Sequence, residues 1–216
     1  MKKKLKILIT AGPTREKIDA VRFISNKSSG KMGYALANTA YAQNLDVTLI
    51  SGPVNIPKIN NIKTIYVESA ADMAEQVFKY AAETDIIIMC AAVADYTPIV
   101  KINKKIKKNN EHLIIELERT EDILAKLGQI KTKQYLVGFA AETENLLQYA
   151  KEKLIKKKID LIIANDISSE SQGFSSDYNA VTIIDNKYDI IQIPKQKKQQ
   201  IADEIIQIII KKMKLE

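Results

Sequence analysis

The stretch Asp85-Ile86-Ile87-Ile88-Met89-Cys90 decides the fold of this chain. Its uninterrupted apolar run is typical of a strand that is covered on both faces, as in a parallel sheet flanked by helices. Small residues follow at once, in Ala91-Ala92-Val93-Ala94-Asp95-Tyr96. Small side chains at the carboxyl end of a buried strand let a ligand approach the backbone, so this segment is a candidate binding edge. The alternative is that the alanines only pack a neighbouring helix.

On both sides of this strand, short β-branched runs alternate with longer helical patterns. The predicted strands are 6–10, 46–50, 63–67, 85–90, 134–139 and 161–164. The predicted helices are 30–43, 70–83, 122–127, 144–157 and 197–213, and the second of them opens with a capping box, Ser69-Ala70-Ala71-Asp72. The alternation predicts an α/β protein with a Rossmann-like, doubly wound, mainly parallel sheet.

Two segments break the alternation. Residues 99–118 contain a lysine-rich flap and then an alternating run at 113–117, which predicts a half-buried strand. Residues 178–193 predict a β-hairpin excursion that turns at Asp185-Asn186-Lys187. Because the chain has 216 residues and no linker or repeat, we expect one domain, 1–216.

Composition excludes several kinds of chemistry. The chain has one histidine (His112) and one cysteine (Cys90), so an internal disulfide or a His/Cys zinc site cannot form, and a Ser-His-Asp triad would depend on His112 alone. This composition favours a reducing, cytoplasmic compartment. No apolar run approaches the roughly 18 residues of a membrane span, so we expect no membrane partner.

The net charge of +7, from 33 Lys and Arg against 26 Asp and Glu, raises the question of nucleic-acid binding. The lysine clusters contain no arginine and almost no aromatic residue, whereas nucleic-acid binders combine those residue types to contact phosphates and bases. We therefore expect no nucleic-acid partner and interpret most of the lysines as solvated. The cluster Lys105-Ile106-Lys107-Lys108 has a second interpretation, because its irregular loop could swing over a crevice and bring ammonium groups to a polyphosphate. The alternative is that this cluster is also a solvated basic loop.

Polar residues also precede the first predicted helix, in Asn26-Lys27-Ser28-Ser29-Gly30. Backbone amides at a helix start, together with Ser and Asn side chains, can bind an anion or a carbonyl group. The alternative is that a serine only caps the helix and that Gly30 and Gly33 only permit close packing. A second strand end, Gly138-Phe139-Ala140-Ala141, resembles the one at Ala91, and Phe139 could cover a base or ring. Two such ends side by side predict one crevice.

Familiar nucleotide motifs are absent. The chain lacks G-x-G-x-x-G after the first strand, and Gly30-Lys31-Met32 is not a Walker A loop because no Ser or Thr follows the lysine. Tyr149 and Lys153 match the Tyr-x-x-x-Lys pair of short-chain oxidoreductases, but without a dinucleotide loop a solvated helical pair is the simpler interpretation. We expect His112 to be exposed and inert, and Cys90 to be a buried small apolar residue.

The ordered motifs of this chain resemble those of bacterial phosphopantothenoylcysteine synthetase along its whole length. The matching segments are Thr10-Ala11-Gly12-Pro13-Thr14-Arg15-Glu16, Ile24-Ser25-Asn26, Ser28-Ser29-Gly30-Lys31-Met32-Gly33, Ala91-Ala92-Val93-Ala94-Asp95-Tyr96, Lys105-Ile106-Lys107-Lys108, Gly138-Phe139-Ala140-Ala141-Glu142-Thr143 and Ala164-Asn165-Asp166-Ile167 through Gly173-Phe174. The resemblance implies a ligase of coenzyme A synthesis, in the form that lacks a fused decarboxylase. In the implied reaction 4′-phosphopantothenate and CTP give an acyl-cytidylate and pyrophosphate, and L-cysteine then displaces CMP.

The resemblance also implies roles for particular residues. Asn26 and Lys105 match the catalytic positions, with Asn26 assigned to the acyl carbonyl and Lys105 to the nucleotide phosphates. The nucleotide positions are Asp95, Lys105, Phe139, Lys153 and Lys157, and the phosphopantothenate side is assigned to Asn26, Ser28, Ser29, Ala91 and Ala92. The match at Lys153 replaces its interpretation as an idle helical residue.

The resemblance further implies Mg²⁺ as cofactor, CTP as co-substrate, a homodimer, and a possible separate phosphopantothenoylcysteine decarboxylase as partner. The ligands of the metal are not identified by the sequence. Where relatives commonly read Lys-Asn-Pro-Asp, this chain reads Arg119-Thr120-Glu121-Asp122, so side-chain contacts to the nucleotide are in question there. The alternative functions are a non-catalytic nucleotide-binding regulatory subunit and a short-chain oxidoreductase.

Overall fold

A computed structural model describes residues 4–107, 112–142, 146–166 and 176–213. Lys108 of the flap, Thr143, Glu144 and the 167–174 part of the last motif lie outside the described residues. The strands in the described part are β1 (Lys6–Ala11), β2 (Arg15–Lys17), β3 (Phe23–Ser25), β4 (Asp46–Ser51), β5 (Lys63–Tyr66), β6 (Ile86–Met89), β7 (Tyr96–Pro98), β8 (Leu117–Arg119), β9 (Tyr135–Glu142), β10 (Leu161–Asp166), β11 (Tyr178–Asp185) and β12 (Ile190–Lys197). The helices are α1 (Lys31–Ala42), α2 (Ala70–Ala81), α3 (Ile123–Ile130), α4 (Leu146–Lys156) and α5 (Lys198–Met213).

Eight strands form the main sheet, in the order β12-β11-β10-β9-β6-β1-β4-β5. The six strands from β10 to β5 in this order run parallel to one another, whereas β11 and β12 join antiparallel at one edge. The predicted hairpin therefore forms, and it extends the main sheet. The α/β class and the mainly parallel sheet are confirmed.

Strand β6 is covered on both faces, as its sequence predicts. All four of its residues, Ile86–Met89, are buried. Ile86 and Ile88 belong to the core layer beneath α1 and α5, whereas Ile87 and Met89 belong to the layer beneath α2, α3 and α4. Because side chains alternate across a strand, a continuous apolar run supplies both layers at once. Helices therefore pack on both faces of the sheet, as in a doubly wound fold.

The connections create a switch point between β1 and β6. From β1 the chain passes to β4 and β5 on one side, and it then returns to place β6 on the other side of β1. The loops that leave β1 and β6 therefore diverge at the carboxyl edge of the sheet. In open α/β sheets a crevice for ligands forms at this position.

Two small antiparallel sheets lie outside the main sheet, one of β2 with β3 and one of β7 with β8. The prediction of a strand at 113–117 is wrong: residues 112–116 form no strand, and β8 begins at Leu117. Ile114 shows why, because its side chain is 83% exposed and the apolar alternation faces no core. The short strands β2, β3 and β7 were not predicted, since three residues are too few to show a periodicity.

The predicted capping box at the start of α2 is confirmed. The Ser69 hydroxyl accepts a hydrogen bond from the backbone N–H of Asp72, and the Asp72 carboxylate accepts one from the backbone N–H of Ser69. The buried Glu16 adds a third contact, because its Oε1 lies 2.8 Å from the backbone nitrogen of Ala70. This contact ties the loop after β1 to α2 and helps to fix the edge of the crevice.

Candidate functional site

A cavity of about 740 Å³ lies at the carboxyl edge of the sheet, at the switch point. It brings together nine residues that the sequence and the resemblance selected, which are Asn26, Ser28, Ser29, Ala91, Ala92, Asp95, Phe139, Lys153 and Lys157. Lys105 is the exception: it is described, exposed and outside the cavity lining. The two small-residue strand ends, at Ala91 and Phe139, meet in one crevice because β6 and β9 are neighbours in the sheet.

The segment after β6 lines the cavity, and the loop after β1 holds that segment in place. The backbone N–H of Ala92 donates to the carbonyl oxygen of Gly12 at 2.9 Å, and that of Thr14 donates to the Ala92 oxygen at 3.3 Å. The Thr14 hydroxyl accepts from the backbone N–H of Ala94 at 2.9 Å. In each contact, Ala92 or Ala94 contributes a backbone group. The backbone of the segment after β6 is therefore held at the cavity, where its small side chains leave room for a ligand.

Asn26 lies against the same wall. Its Nδ2 is 3.0 Å from the carbonyl oxygen of Ala92 and 3.2 Å from that of Val93, so both amide hydrogens are directed at backbone oxygens. An amide nitrogen has two hydrogens to donate. A substrate carbonyl that uses this amide therefore has to replace one of these two hydrogen bonds.

The helix start at α1 differs from the simple cap that a serine would give. Its N-cap residue is Gly30, with φ of 77° and no side-chain cap, and the Ser28 hydroxyl accepts from the Gly30 N–H at 3.3 Å. A Cβ at Gly30 would lie 2.6 Å from Val54 Cγ1, and one at Gly33 would lie 2.5 Å from Ala11 Cβ. The close-packing role of the glycines is therefore confirmed, and the serine cap is wrong. Ser28 and Ser29 remain on the cavity wall.

Two lysines at the end of α4 also line the cavity. Lys153 lines the cavity, and Lys157, just after the helix, lies 3.0 Å from Asp122 Oδ2. Asp122 is also the N-cap of α3, since its Oδ1 accepts from the Ala125 N–H at 3.0 Å. The ion pair joins α3 to the end of α4 and holds a lysine at the cavity edge.

The segment that departs from the family pattern also lines the cavity. The Thr120 hydroxyl donates to the carbonyl oxygen of Ala94 at 2.6 Å, and the Thr120 backbone N–H donates to the backbone carbonyl oxygen of Asp95 at 3.0 Å. Arg119, Glu121 and Asp122 lie on the lining as well. Because Thr120 holds the loop that carries Asp95, this segment keeps a structural role in the wall despite its altered sequence.

A cluster of polar side chains at the starts of α1 and α5 was not predicted from the sequence. Lys31, Lys198 and Asn179 line this part of the cavity, with Lys198 only 8% exposed, and a Lys31–Asp177 ion pair of 2.6 Å lies beside it. Burial lowers the pKa of Lys198, and the nearby charge of Lys31 lowers it further. A lysine within the basic run 195–198 gives no sequence signal that it is buried, because that fact depends on how α5 packs.

Asn165 is a second residue whose place was not predicted, although it belongs to one of the resembling motifs. It lies on the cavity lining next to β9, and its buried Oδ1 accepts no hydrogen bond from the described residues. A buried polar atom without a partner is costly. Among the described residues this oxygen is therefore an unpaired acceptor beside the cavity.

Three residues with a predicted minor role can be placed. His112 is exposed, as expected, and Tyr149 is exposed and absent from the cavity lining. Cys90 packs against the core but is only half-buried and lines the cavity, so it is less buried than expected. Burial nevertheless raises the pKa of its thiol to about 12. A neutral thiol at this position is not an activated nucleophile.

Metal-binding groups are sparse in the part of the chain that the structure describes. There, no three His, Cys, Asp or Glu side chains lie together in a way that could hold a metal ion. The cavity lining does include the carboxylates of Asp95, Glu121 and Asp122.

Across the described part of the chain, no helix combines the length and the apolarity that crossing a bilayer requires.

Known proteins resemble this chain over nearly all of its length. Residues 2–213 match the family described as DNA/pantothenate metabolism flavoprotein C-terminal domain. The coenzyme A biosynthesis bifunctional protein CoaBC of Bacillus subtilis (strain 168) is 48% identical over 204 residues, which are 94% of this chain and 50% of that protein. The chain thus spans about half the length of this relative.

Two solved structures show the same fold. The C-terminal domain of a CoaBC protein is 43% identical, with a TM-score of 0.85 over 98% of this chain and 97% of that chain. A Cab2 mutant in complex with phosphopantothenate-cysteine is 16% identical, with a TM-score of 0.76 over 97% of this chain and 86% of that chain. The second likeness concerns the fold alone. With its sheet, its cavity and these relatives in agreement, the chain belongs to the DNA/pantothenate metabolism flavoprotein C-terminal domain family.

Proposed function

We propose that the chain is a phosphopantothenate–cysteine ligase that uses CTP and forms an acyl-cytidylate intermediate. The observation that carries the proposal is that one cavity gathers nine of the residues that the family resemblance selects. The relatives support it, because CoaBC of Bacillus subtilis, which is 48% identical to this chain, is named for coenzyme A biosynthesis. The cavity volume of about 740 Å³ lies within the range of sites that enclose small molecules.

In the first step, a carboxylate oxygen of phosphopantothenate attacks the α-phosphorus of CTP. The new bond joins oxygen to phosphorus, the bond from the α-phosphorus to the bridging oxygen breaks, and pyrophosphate leaves. The protein's task is to position the reactants and neutralise charge on the phosphates. We assign Lys153 and Lys157 to this task, with Lys105 delivered by the flap. No histidine or cysteine nucleophile is required, which fits the neutral thiol of Cys90.

In the second step, the amine of cysteine attacks the acyl carbon, the carbon–oxygen bond to the cytidylate breaks, and CMP leaves with loss of a proton from the amine. Negative charge develops on the acyl oxygen. We assign Asn26 to that oxygen, after its amide releases one of the two backbone oxygens that it contacts at 3.0 and 3.2 Å. Ser28, Ser29, Ala91 and Ala92 form the wall for the phosphopantothenate portion.

Asp95 and Phe139 complete the proposed nucleotide site. Phe139 is half-buried on the lining and can cover the base with its ring, whereas the exposed Asp95 can accept from the ribose or help to hold Mg²⁺. Mg²⁺ usually binds through substrate phosphates with one or two carboxylates, so the scattered acidic residues of the lining fit a metal ion that arrives with the nucleotide. When bound, the ion would neutralise phosphate charge.

The active form that we propose is a homodimer. Five exposed apolar side chains (Val21, Phe23, Val100, Leu113 and Ile114), called the apolar patch here, lie on the small sheets and the segments beside them, with Ile114 83% exposed. Hydrogen bonds join these segments, from Ile102 N–H to the Ile18 oxygen at 3.2 Å and from Ile99 N–H to the Glu116 oxygen at 3.1 Å. Exposed apolar patches commonly mark protein interfaces, and two-fold dimers are the commonest assemblies.

The proposal is tested by mixing the protein with 4′-phosphopantothenate, L-cysteine, CTP and Mg²⁺ and measuring CMP and pyrophosphate. We expect both products with cysteine present and an accumulated acyl-cytidylate without it; ATP in place of CTP measures the nucleotide preference. A protein that consumes no CTP with this acid contradicts the proposal. Binding of CTP without turnover would support a regulatory subunit, and binding of NAD(P)H would support an oxidoreductase.

A further inference from the structure

The carboxylate of Asp19 is the centre of a hydrogen-bond cluster outside the cavity. Its Oδ1 accepts from the backbone N–H groups of Val21 and Arg22, at 2.8 and 2.9 Å. Its Oδ2 accepts from Arg22 Nε at 2.9 Å, from Arg22 Nη2 at 2.5 Å and from the backbone N–H of Ile106 at 3.1 Å. The Asp19 side chain is fully buried, whereas the Arg22 side chain is 45% exposed.

Only one of the two carboxylate oxygens reaches beyond the turn. The Oδ1 contacts stay within the turn between β2 and β3 and would shape that turn alone. The Oδ2 contact with Ile106 spans 87 positions of sequence and reaches the lysine-rich flap. A local turn does not require this second contact, so the turn by itself does not explain why the carboxylate is buried here.

The flap backbone is held from two sides at Ile106. Asp19 accepts from its N–H, and Arg22 Nη2 donates to its carbonyl oxygen at 3.2 Å. Two further contacts hold the preceding residues, because Lys17 Nζ donates to Asn103 Oδ1 and the Ile102 N–H donates to the Ile18 oxygen, both at 3.2 Å. Lys105 lies between these anchoring points, so its backbone has little freedom while they last.

The electrostatics favour a persistent contact. Hydrogen bonding to the Arg22 guanidinium, together with backbone N–H donors, holds the pKa of Asp19 well below its usual range. The carboxylate therefore stays charged at neutral pH, and a charged acceptor makes stronger hydrogen bonds than a neutral one.

We propose that Asp19 is a positioning residue for the flap: through Ile106, and with Arg22, it fixes the backbone beside Lys105 and so sets the position from which the Lys105 side chain extends to the nucleotide phosphates. This inference rests on the proposed function in assigning Lys105 to CTP. Asp19 itself contacts no substrate and acts through the flap.

The test compares Asp19→Asn with the wild type in two measurements. Hydrogen exchange of the peptide that covers residues 102–107 is expected to become at least about tenfold faster, because a neutral amide loses the ion pair and the strong acceptor. In the ligase assay, kcat/KM for CTP is expected to fall by about ten- to a hundredfold, the loss that a small misplacement of a catalytic group can cause, while KM for cysteine stays unchanged.

A double-mutant cycle separates positioning from general destabilisation. If Asp19 acts through Lys105, then Asp19→Asn adds little further loss of CTP turnover once Lys105→Gln is present. The matched control is Asp160→Asn, because Asp160 also combines an ion pair, with Lys131 at 2.5 Å, and a backbone contact, with the Leu136 N–H at 2.7 Å. The Asp160 carboxylate lies at the amino end of β10, whereas the cavity lies at the carboxyl ends of the strands. Its loss should alter neither hydrogen exchange of the flap nor KM for CTP.

The outcomes distinguish this inference from the proposed function. The positioning role is overturned if hydrogen exchange at 102–107 is unchanged in Asp19→Asn. It is also overturned if the losses of CTP turnover caused by Asp19→Asn and Lys105→Gln add in full in the double variant. If the wild type consumes no CTP, the proposed function fails. The hydrogen-exchange measurement alone then decides whether Asp19 restricts the flap backbone. If Asp19→Asn does not fold, Ile106→Pro removes the N–H donor from the flap side, and the same faster exchange and CTP-specific loss are expected.

Discussion

Cys90 lies half-buried at the cavity wall, and burial raises the pKa of its thiol to about 12. A raised pKa favours the neutral thiol, so almost no thiolate exists at pH 8. We expect iodoacetamide to modify native Cys90 at least about a hundredfold more slowly than Cys90 in urea, where the ordinary pKa of about 8.5 returns. Mass spectrometry of the labelled chain measures both rates. Equal rates would show that the cavity does not suppress the thiolate.

Asn26 supports a second prediction at the scale of the residue. In Asn26→Asp a carboxylate would face the carbonyl oxygens of Ala92 and Val93, which the amide now contacts at 3.0 and 3.2 Å. Repulsion and the lost donor should reduce amide formation by about ten- to a hundredfold. Rapid-quench measurement of CMP release tests this, with Asn38→Asp, an exposed position on α1, as control. Wild-type turnover in Asn26→Asp would remove Asn26 from the proposed mechanism.

At the scale of the element, the contact between α3 and the end of α4 depends on Gly128. A Cβ there would lie 1.8 Å from the backbone oxygen of Lys157. Helix propensity alone predicts that Gly128→Ala stabilises the protein by about 1 kcal/mol, whereas overpacking predicts a loss of about 1–3 kcal/mol. We expect the loss, measured by urea unfolding, and a displaced Lys157 at the cavity edge. Gln129→Ala, at an exposed position, should change the free energy of unfolding by less than about 0.5 kcal/mol.

At the scale of the whole molecule, the apolar patch supports the proposed homodimer. Ile114→Asp places a charge at the most exposed apolar side chain of the patch, so we expect it to convert the dimer into a monomer in sedimentation equilibrium. Ile130→Asp alters an equally apolar residue, which is 54% exposed at the end of α3 and does not belong to the patch, and this variant should remain a dimer. A wild type that sediments as a monomer would contradict the proposed homodimer. If Ile114→Asp remains a dimer, the dimer interface does not include the apolar patch.

The elements of the main sheet could be predicted because their signals are local. A continuous apolar run such as 86–89 specifies a strand covered on both faces, and Ser69 with Asp72 specifies a helix start through neighbouring backbone groups. The same reasoning failed at 113–117, because alternation records a pattern of side chains and not whether a partner strand exists. It also could not identify the three-residue strands of the small sheets.

The sequence by itself determined the α/β class and the strands and helices of the core, and its motifs, through the family resemblance that they carry, selected nine of the residues that line the cavity. These depend on composition, periodicity and motifs, which are properties of neighbouring residues. Only the tertiary structure decided that Lys198 and Cys90 line the cavity, that the Asn26 amide contacts the wall, and that Asp19 holds the flap. Each of these facts joins groups that are distant along the chain, and only the packing of helices and loops on the sheet brings such groups within bonding distance.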